Sequence, residues 1–422
     1  MKTPPLLHPR RVVFWSAYLL LIAVAPLAAH KGYWLSLLCQ IGINTIFALS
    51  FNMLLGQTGL LSFGHAVYYG LGAFITMHAL RAINAGSLPF PVTLMPLVGG
   101  AAGLLFGVIF GYVTTRRAGT TFAMISLGIG EMVAASSLMF PSFFGGEAGL
   151  SSNRVAGGKG LFGITYGPQI QMYYLIAGWA FLAILAMYAL TQTPLGRMAN
   201  AVRDNPERAE FVGYNPHRVR FLMMALAGFF AGVAGGLTAL NYEIVTAESL
   251  SAYASGLVIM MAFVGGIGQF FGPIIGAALI TVLQIVVAGA TEAWPFYFGL
   301  LFLLVVLYAP GGIAGILVDQ IRLWRSGELR RLWPSYLLAS VPAAILVIAI
   351  VFLVEMSYAL VTSSKTGSTA ELRVLGLNLD AGRALTWIAG AAALAVGVAL
   401  LRAAARKIAG DRFARPVPQG RT

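Results

Sequence analysis

Long apolar runs separated by short polar segments extend over most of this chain. No Asp, Glu, Lys or Arg occurs in residues 32–80 or in residues 249–291. A helix needs about 20 residues to cross a hydrocarbon core about 30 Å thick, so each run is long enough for more than one crossing. The pattern therefore predicts an all-α polytopic membrane protein.

Twelve transmembrane helices are expected from the apolar segments. About ten form a core, and two more form a C-terminal hairpin. The expected spans are residues 12–30, 34–55, a third ending at residue 80, 92–113, 120–140, 172–190, 221–240, 252–264, 274–288, 295–309, 336–354 and 384–401. The first of these could also be a signal peptide, since a basic start precedes its apolar stretch, but its length favours an uncleaved span.

Glycine-containing turns interrupt the apolar pattern at residues 56–64 and at residues 265–273. Both turns are expected to dip toward the inner side of the membrane. Broken helices in corresponding places indicate a transport path in membrane carriers. Simple tight turns between packed spans explain the same residues equally well, so both interpretations stay open.

The longest polar segment covers residues 193–220. It contains three pairs in which a capping residue precedes proline, at Thr193, Asn205 and Asn215. Each pair is typical of a helix start, because proline suits the first helical position. The segment therefore predicts two short helices, residues 194–203 and 206–212, and a third start that leads into the next span. It is either a solvated connection or a surface for a soluble partner.

Residues 196–213, GRMANAVRDNPERAEFVG, resemble the coupling loop of ABC-importer permeases of the branched-chain amino acid type, the LivM family. Further similar motifs are SFGHA at 62–66, GLGAF at 70–74, GGEAGLSS at 145–152, GGIGQFFGPIIGAAL at 265–279 and YAPGGIAGIL at 308–317. The matching loop positions are Gly196, Arg197, Arg203, Asn205, Ala209, Glu210 and Gly213. Pro206 departs from the family pattern, where another residue is more usual.

The resemblance covers residues 34–318 and implies a permease core there. Residues 1–33 would hold an N-terminal cytoplasmic segment and the first span, and residues 319–422 a C-terminal extension outside the path. The implied ATPase-coupling residues are Gly196, Arg197, Arg203, Asp204, Asn205, Glu207 and Gly213. The implied partners are a second homologous permease, two cytoplasmic ABC ATPases and an external solute-binding protein. Branched-chain amino acids lead as substrate, with amides, urea and other small solutes as alternatives.

The formal net charge of +13 does not indicate nucleic-acid binding, because the basic residues are scattered among short loops. With both termini inside, the inner segments hold 20 of the 27 Lys and Arg residues. This bias agrees with the positive-inside rule and predicts cytoplasmic termini. The resemblance implies that the membrane is a bacterial inner membrane. The single cysteine, Cys39, excludes an internal disulfide.

No phosphate-binding GxxxxGK[ST] motif occurs, so the chain is not expected to hydrolyse ATP, and no motif indicates a metal or cofactor. Polar candidates for the translocation path are Asn52, Gln57, Ser62, His65 and Glu131. The first four are also typical of helix packing. Glu131, in the middle of a predicted span, is either functional or held by a neighbour such as Ser126. The alternative function is an ion-coupled secondary transporter, but only Glu131 is expected in mid-span.

Overall fold

The computed structural model describes residues 9–28, 32–155, 163–326, 329–366, 371–374, 377–380 and 384–413. Its helices are α1 (Pro9–Ala28), α2 (Gly32–Thr58), α3 (Ala66–Asn84), α4 (Met95–Thr114), α5 (Thr120–Met139), α6 (Pro141–Phe144), α7 (Gln169–Gln192), α8 (Pro194–Asp204), α9 (Pro206–Phe211), α10 (Pro216–Tyr242), α11 (Ala252–Gly265), α12 (Gly272–Ala288), α13 (Trp294–Tyr308), α14 (Gly312–Arg325), α15 (Leu329–Thr366) and α16 (Ala384–Phe413). Four short strands are β1 (Leu150–Ser151), β2 (Ile244–Val245), β3 (Glu371–Val374) and β4 (Leu377–Asp380).

The all-α polytopic class is confirmed. In the described part of the chain, seven helices are long and apolar enough to cross a membrane, and eight if α13 and α14, bent by 48°, form one span. The short arms predicted around the second glycine-containing turn are present as α11 and α12, with 14 and 17 residues. At 1.5 Å per residue α11 is about 21 Å long, shorter than the hydrocarbon core. The total of twelve crossings stays a prediction.

Two predicted helix boundaries were too narrow. The helix expected at residues 221–240 begins at Pro216, because Asn215 caps it there. The helix expected at residues 336–354 runs over Leu329–Thr366, since residues 355–366 contain neither Gly nor Pro and nothing in them stops a helix. Glu355 therefore lies inside a candidate span, Ser340–Ser363. The expectation that only Glu131 is in mid-span is wrong.

The chain divides into two compact units, Met1–Val286 with Leu301–Ile316, and Val287–Leu300 with Leu317–Thr422. In the first unit α10 is central and packs most extensively against α4, α3 and α2. Small residues allow this close approach: a Cβ added at Gly103 would lie 2.1 Å from the Gly228 carbonyl oxygen. The Gly/Ala-rich sequence of α10 thus serves helix packing, as expected in a membrane.

The connection between α5 and α7 has short structure of its own. It contains α6 and β1, which pairs antiparallel with β2 at the end of α10. Arg154 fastens this connection: its guanidinium group donates to the carbonyl oxygens of Leu240 and Asn241, 3.1 Å each. These are among the last carbonyls of α10, where a positive charge is favourable. Arg154 is buried, so its side chain has a structural role in addition to any effect of its charge on orientation in the membrane.

The second unit contains the C-terminal hairpin of α15 and α16, with the antiparallel pair of β3 and β4 between them. Two tyrosine–glutamate pairs join α15 to the start of α13. The Tyr297 hydroxyl donates to Glu355 Oε1 at 2.8 Å, and the Tyr358 hydroxyl donates to Glu292 Oε2 at 2.5 Å. In one pair α15 supplies the glutamate, and in the other pair it supplies the tyrosine. Because both pairs form together, α15 has a defined register against residues 292–297.

Candidate functional site

The polar segment of residues 193–220 folds as its capping residues predict. Thr193 Oγ1 accepts a hydrogen bond from the Gly196 N–H at 3.3 Å, starting α8. Asn205 Oδ1 accepts from the Arg208 N–H at 2.9 Å, starting α9. Asn215 Oδ1 accepts from Arg218 at 3.2 Å, starting α10. All three predicted helix starts are therefore confirmed. We call residues 193–220 the α8–α9 segment.

One face of α8 lies against the helices of the first unit. Gly196, Ala199 and Val202 are buried on it, and α8 contacts α2, α7 and α10. Leu195 and Met198 of the same helix are half-buried. Gly196 is required by space, since an added Cβ would lie 2.4 Å from the Leu190 carbonyl oxygen. The segment thus rests on the helices that precede and follow it.

The opposite side of the α8–α9 segment is open. Phe211 is 91% exposed and Val212 is 70% exposed, although both are apolar. Arg197, Asp204, Asn205 and Glu207 are exposed as well, and Gly213 follows with a positive φ of 91°. A groove of about 280 Å³ lies between α8 and α9, lined by residues including Asn205, Arg208 and Val212. Exposed apolar residues rimmed by charges are typical of a protein-binding surface.

Arg203 is itself exposed, with 38% of its side chain accessible, but its contacts differ from those of these neighbours. Its guanidinium group donates to the carbonyl oxygen of Gly56, at the end of α2, and to Asp204 Oδ1 at 2.9 Å. Its stem lies beside Gly59, where an added Cβ would be 3.1 Å from Arg203 Cγ. Gly59 has a φ of 70°, which an L side chain rarely adopts, so glycine is needed there for two reasons. The sequence pattern directed Arg203 outward, but the structure joins it to α2.

The two glycine-containing turns are in contact. A Cβ added at Gly56 would lie 3.0 Å from the Ile267 carbonyl oxygen, in the connection between α11 and α12. It would also lie 2.3 Å from Asn52 Oδ1. Gly56 is therefore the point where the end of α2, the α11–α12 connection and Arg203 meet. The sequence suggested that both breaks face the same side, and the tertiary structure brings them together.

The four polar path candidates around the first break are all buried: Asn52, Gln57, Ser62 and His65. Each has a buried side-chain atom for which no described residue supplies a hydrogen-bond partner: Asn52 Oδ1, Gln57 Oε1, Ser62 Oγ and His65 Nδ1. Buried polar atoms are normally paired, so four exceptions at one helix break are unusual.

His65 is packed by its surroundings, as the sequence indicated. Its Nε2 lies 2.9 Å from Ser50 Oγ, and its ring stacks on Phe47 with 5.6 Å between ring centres. Phe51 meets the same ring edge to face. The imidazole is fully buried, so a solute would reach it only after a rearrangement of α2 or α3.

Glu131 lies on α5 with its side chain exposed. The proposed hydrogen bond to Ser126 is absent, because Ser126 donates to the Ala123 carbonyl at 2.8 Å and accepts from the Phe63 N–H at 3.1 Å. No hydrogen bond or ion pair joins Glu131 to another residue that the structure describes. Met124 and Met132 on the same helix are 74% and 53% exposed. In the part of the chain that the structure describes, this face of α5 is exposed and carries a carboxylate.

The sequence pattern did not indicate Arg154 or the pair of Tyr297 and Glu355. Arg154 was counted only as one basic residue of a loop, and nothing local shows that it binds the end of α10. Glu355 adjoins the apolar run at residues 336–354, so allowing that helix to continue by one residue would have placed it in the span. Its partner Tyr297 is 58 positions away and could not be found from spacing.

A family model described as the permease component of branched-chain amino acid transport systems matches residues 33–310. The match covers most of the chain and agrees with residues 34–318, where the resemblance was found. The chain belongs to this family. It is thus a membrane-embedded permease component of a transport system, and not an enzyme.

Relatives agree with the family. The chain is 28% identical to the high-affinity branched-chain amino acid transport permease LivM of Salmonella typhimurium over 333 residues, 74% of this chain and 77% of the relative. It is 26% identical to LivM of Escherichia coli over similar shares. It is also 26% identical to the galactose/methyl galactoside import permease MglC of Haemophilus influenzae, over 66% of this chain and 85% of the relative. No solved structure matches the chain.

Proposed function

We propose that this permease imports branched-chain amino acids in an ATP-driven complex. The observation that carries the proposal is the family match over residues 33–310, together with the two LivM relatives. The complex would contain a second, homologous permease, two cytoplasmic ATPases and an external solute-binding protein. The likeness to a galactose permease makes a sugar the first competing substrate, ahead of amides and urea.

The α8–α9 segment is the proposed contact with an ATPase. Its buried face rests on α2, α7 and α10, while Phe211 and Val212 are presented to the solvent side. Two apolar side chains at the tip of a charged segment suit a pocket on a soluble partner, because their burial would be favourable by about 1.5–3 kcal/mol each. The three side-chain caps keep the segment ordered before the partner binds, which lowers the entropic cost of binding.

Arg203 is the proposed link from the ATPase contact to the transport path. Its guanidinium group bonds the end of α2, and Gly56 at that point also touches the α11–α12 connection. A displacement of α8 would therefore act on both helix breaks at once. Asp204, paired with the Arg203 Nε at 2.9 Å, holds the guanidinium group in the orientation that reaches Gly56.

The path itself is proposed to pass the first helix break and the uncovered face of α5. Asn52, Gln57, Ser62 and His65 supply polar atoms that lack partners in this conformation, so a rearranged conformation can use them without breaking existing bonds. An exposed carboxylate in the hydrocarbon core costs several kcal/mol. Glu131 therefore belongs in a hydrated path or against the second permease, and not in lipid.

The substrate and the partners are tested together by isolating the chain, with a C-terminal affinity tag, from its native membranes. We expect co-purification of a second permease and two ATPases. Proteoliposomes containing this complex, the solute-binding protein and internal ATP should accumulate leucine, isoleucine and valine. Galactose, urea and acetamide are the matched controls. Accumulation of galactose but not leucine would reassign the substrate, and uptake driven by an ion gradient without ATP would contradict the ABC mechanism.

A further inference from the structure

A cavity of about 550 Å³ opens where the end of α4 meets the start of α10. Tyr112 and Arg116 line it from the side of α4, and His217, Arg218 and Phe221 line it from the first two turns of α10. We call it the Arg116–Arg218 cavity. None of these residues belongs to the α8–α9 segment's exposed tip or to the proposed path, so the function proposed above does not use them.

The lining of the cavity that the structure describes is positively charged. Among the described residues that line it there is no carboxylate, and no ion pair or side-chain hydrogen bond to a described residue engages the guanidinium groups of Arg116 and Arg218. Arg116 instead lies over the Tyr112 ring, 4.5 Å from its centre. His217 Nδ1 lies 3.3 Å from Thr115 Oγ1, which holds the imidazole at the rim. Two unpaired guanidinium groups facing one space are suited to an anion, above all a phosphate.

The residues next to the cavity indicate which kind of anion it binds. Leu105, Ile109 and Tyr112 are exposed by 54%, 49% and 54%. They follow the spacing i, i+4 and i+7, so they lie on one side of α4. Arg116 comes two residues after the end of α4 and lines the cavity together with Tyr112. Leu222, four residues after Arg218 on α10, is exposed by 47%. An apolar row along a membrane helix that ends in two arginines and a tyrosine matches an acyl chain followed by a headgroup.

We propose that the Arg116–Arg218 cavity binds the phosphate of an anionic phospholipid, whose acyl chain lies along Leu105, Ile109 and Tyr112. The lipid would hold the end of α4 to the start of α10. The first turn of α10 is the last part of the α8–α9 segment, and so the lipid would steady the base of that segment. An acidic surface of a soluble subunit could also meet the two arginines, but it would leave the apolar row without a partner.

The test uses the full chain in detergent, with binding of single lipids measured by native mass spectrometry. Phosphatidylglycerol and phosphatidylcholine with identical acyl chains are compared. The double variant Arg116→Gln and Arg218→Gln removes the cavity charges. The control Arg322→Gln and Arg325→Gln removes the same charge from the exposed end of α14. We expect the wild type and the control to prefer phosphatidylglycerol by roughly tenfold or more, and the cavity variant to lose this preference.

Further variants and probes separate the outcomes. Arg116→Lys with Arg218→Lys keeps the charge and should retain most of the preference, which excludes a folding defect as the cause of its loss. Glycerol phosphate, which has no acyl chain, should not displace the lipid at equal concentration. Displacement of the lipid by glycerol phosphate would show that the cavity binds a soluble phosphate compound and not a lipid. Unchanged phosphatidylglycerol binding in the glutamine variant would refute the site. A glutamine variant that still binds the lipid but no longer associates with the ATPases would also refute it.

Discussion

At the scale of single residues, Arg203 shows how a charged side chain in an exposed segment takes on an inward role. Its neighbours Asp204, Asn205 and Glu207 are exposed, and the sequence grouped all of them as candidates for a soluble partner. The Arg203 guanidinium group instead reaches a carbonyl 147 positions earlier in the chain. A hydrogen bond from a charged donor is worth about 1.5–3 kcal/mol, enough to make two elements move together.

Arg203→Ala is expected to uncouple the complex. The variant should insert, bind its ATPases and hydrolyse ATP, because the exposed tip and the caps of the segment remain. Uptake per ATP hydrolysed should fall roughly tenfold or more, since the bond to Gly56 is lost. The measurement is the ratio of leucine uptake to phosphate release in proteoliposomes. Arg208→Ala, which removes an equal charge five residues away, is the control and should keep the ratio. A normal ratio in Arg203→Ala would contradict the link.

Glu131 is defined by what surrounds it on α5. It is exposed among methionines, and the serine that was its expected partner bonds to Ala123 and Phe63 instead. No hydrogen bond to a described residue accounts for Glu131, so its ionisable carboxyl group is the property on which a function would depend.

Glu131→Gln should keep expression and insertion but reduce uptake severalfold, because glutamine preserves size and hydrogen bonding while it removes the charge. Transport assays in the assembled complex, normalised to the amount of permease, measure the effect. Glu131→Asp serves as the control and should retain most activity. If glutamine transports normally while Glu131→Ala is lost from the membrane, Glu131 has only a structural role.

At the scale of helices and strands, local signals determine where helices start, while distant contacts determine how helices align. The starts of α8, α9 and α10 follow from single capping residues with a proline behind them, so the sequence predicted them correctly. The register of α15 against residues 292–297 does not follow from any local signal. Two tyrosine–glutamate pairs set it, and each needs both partners.

Tyr297→Phe combined with Tyr358→Phe should loosen this contact. The change removes two hydroxyl donors and leaves Glu355 and Glu292 without them, which costs about 1–3 kcal/mol for each hydrogen bond that is lost at a buried site and less at an exposed one. A lower melting temperature in a detergent-based fluorescence assay is the expected result. Tyr33→Phe, at an exposed ring in α2, should not change it.

A chain that stops after Leu332 removes the hairpin altogether. We expect it to insert, to melt at a lower temperature and to support substantial uptake, because the family match ends at residue 310. Normal membrane levels with uptake abolished would show that the hairpin belongs to the transport machinery.

At the scale of the whole molecule, the distribution of basic residues predicts the orientation in the membrane. The expected inner segments contain 20 of the 27 Lys and Arg residues, which predicts that the termini and the α8–α9 segment are cytoplasmic. The structure fits a membrane protein whose described helices expose large apolar surfaces, such as α15 and α16, of which only 11% of each span is buried.

The orientation is tested with single cysteines at Asn205 and Val155 in a Cys39→Ala background. Cys39 is fully buried, so its removal eliminates background without exposing a new surface. A membrane-impermeant thiol reagent added to intact cells should label position 155 and leave position 205 unlabelled until the membrane is opened. Labelling of position 205 from outside would reverse the proposed topology.

The sequence by itself determined that this is an all-α membrane permease, where its three capped helices start and where its two glycine-containing breaks lie. These features depend on apolar runs, capping residues and motifs, which are all local in the chain. Only the tertiary structure decided that the breaks touch at Gly56 and Ile267, that Arg203 bonds α2, and that no described residue bonds Glu131. Such contacts join residues dozens to hundreds of positions apart, and their pairing depends on how the helices pack, which no single segment encodes.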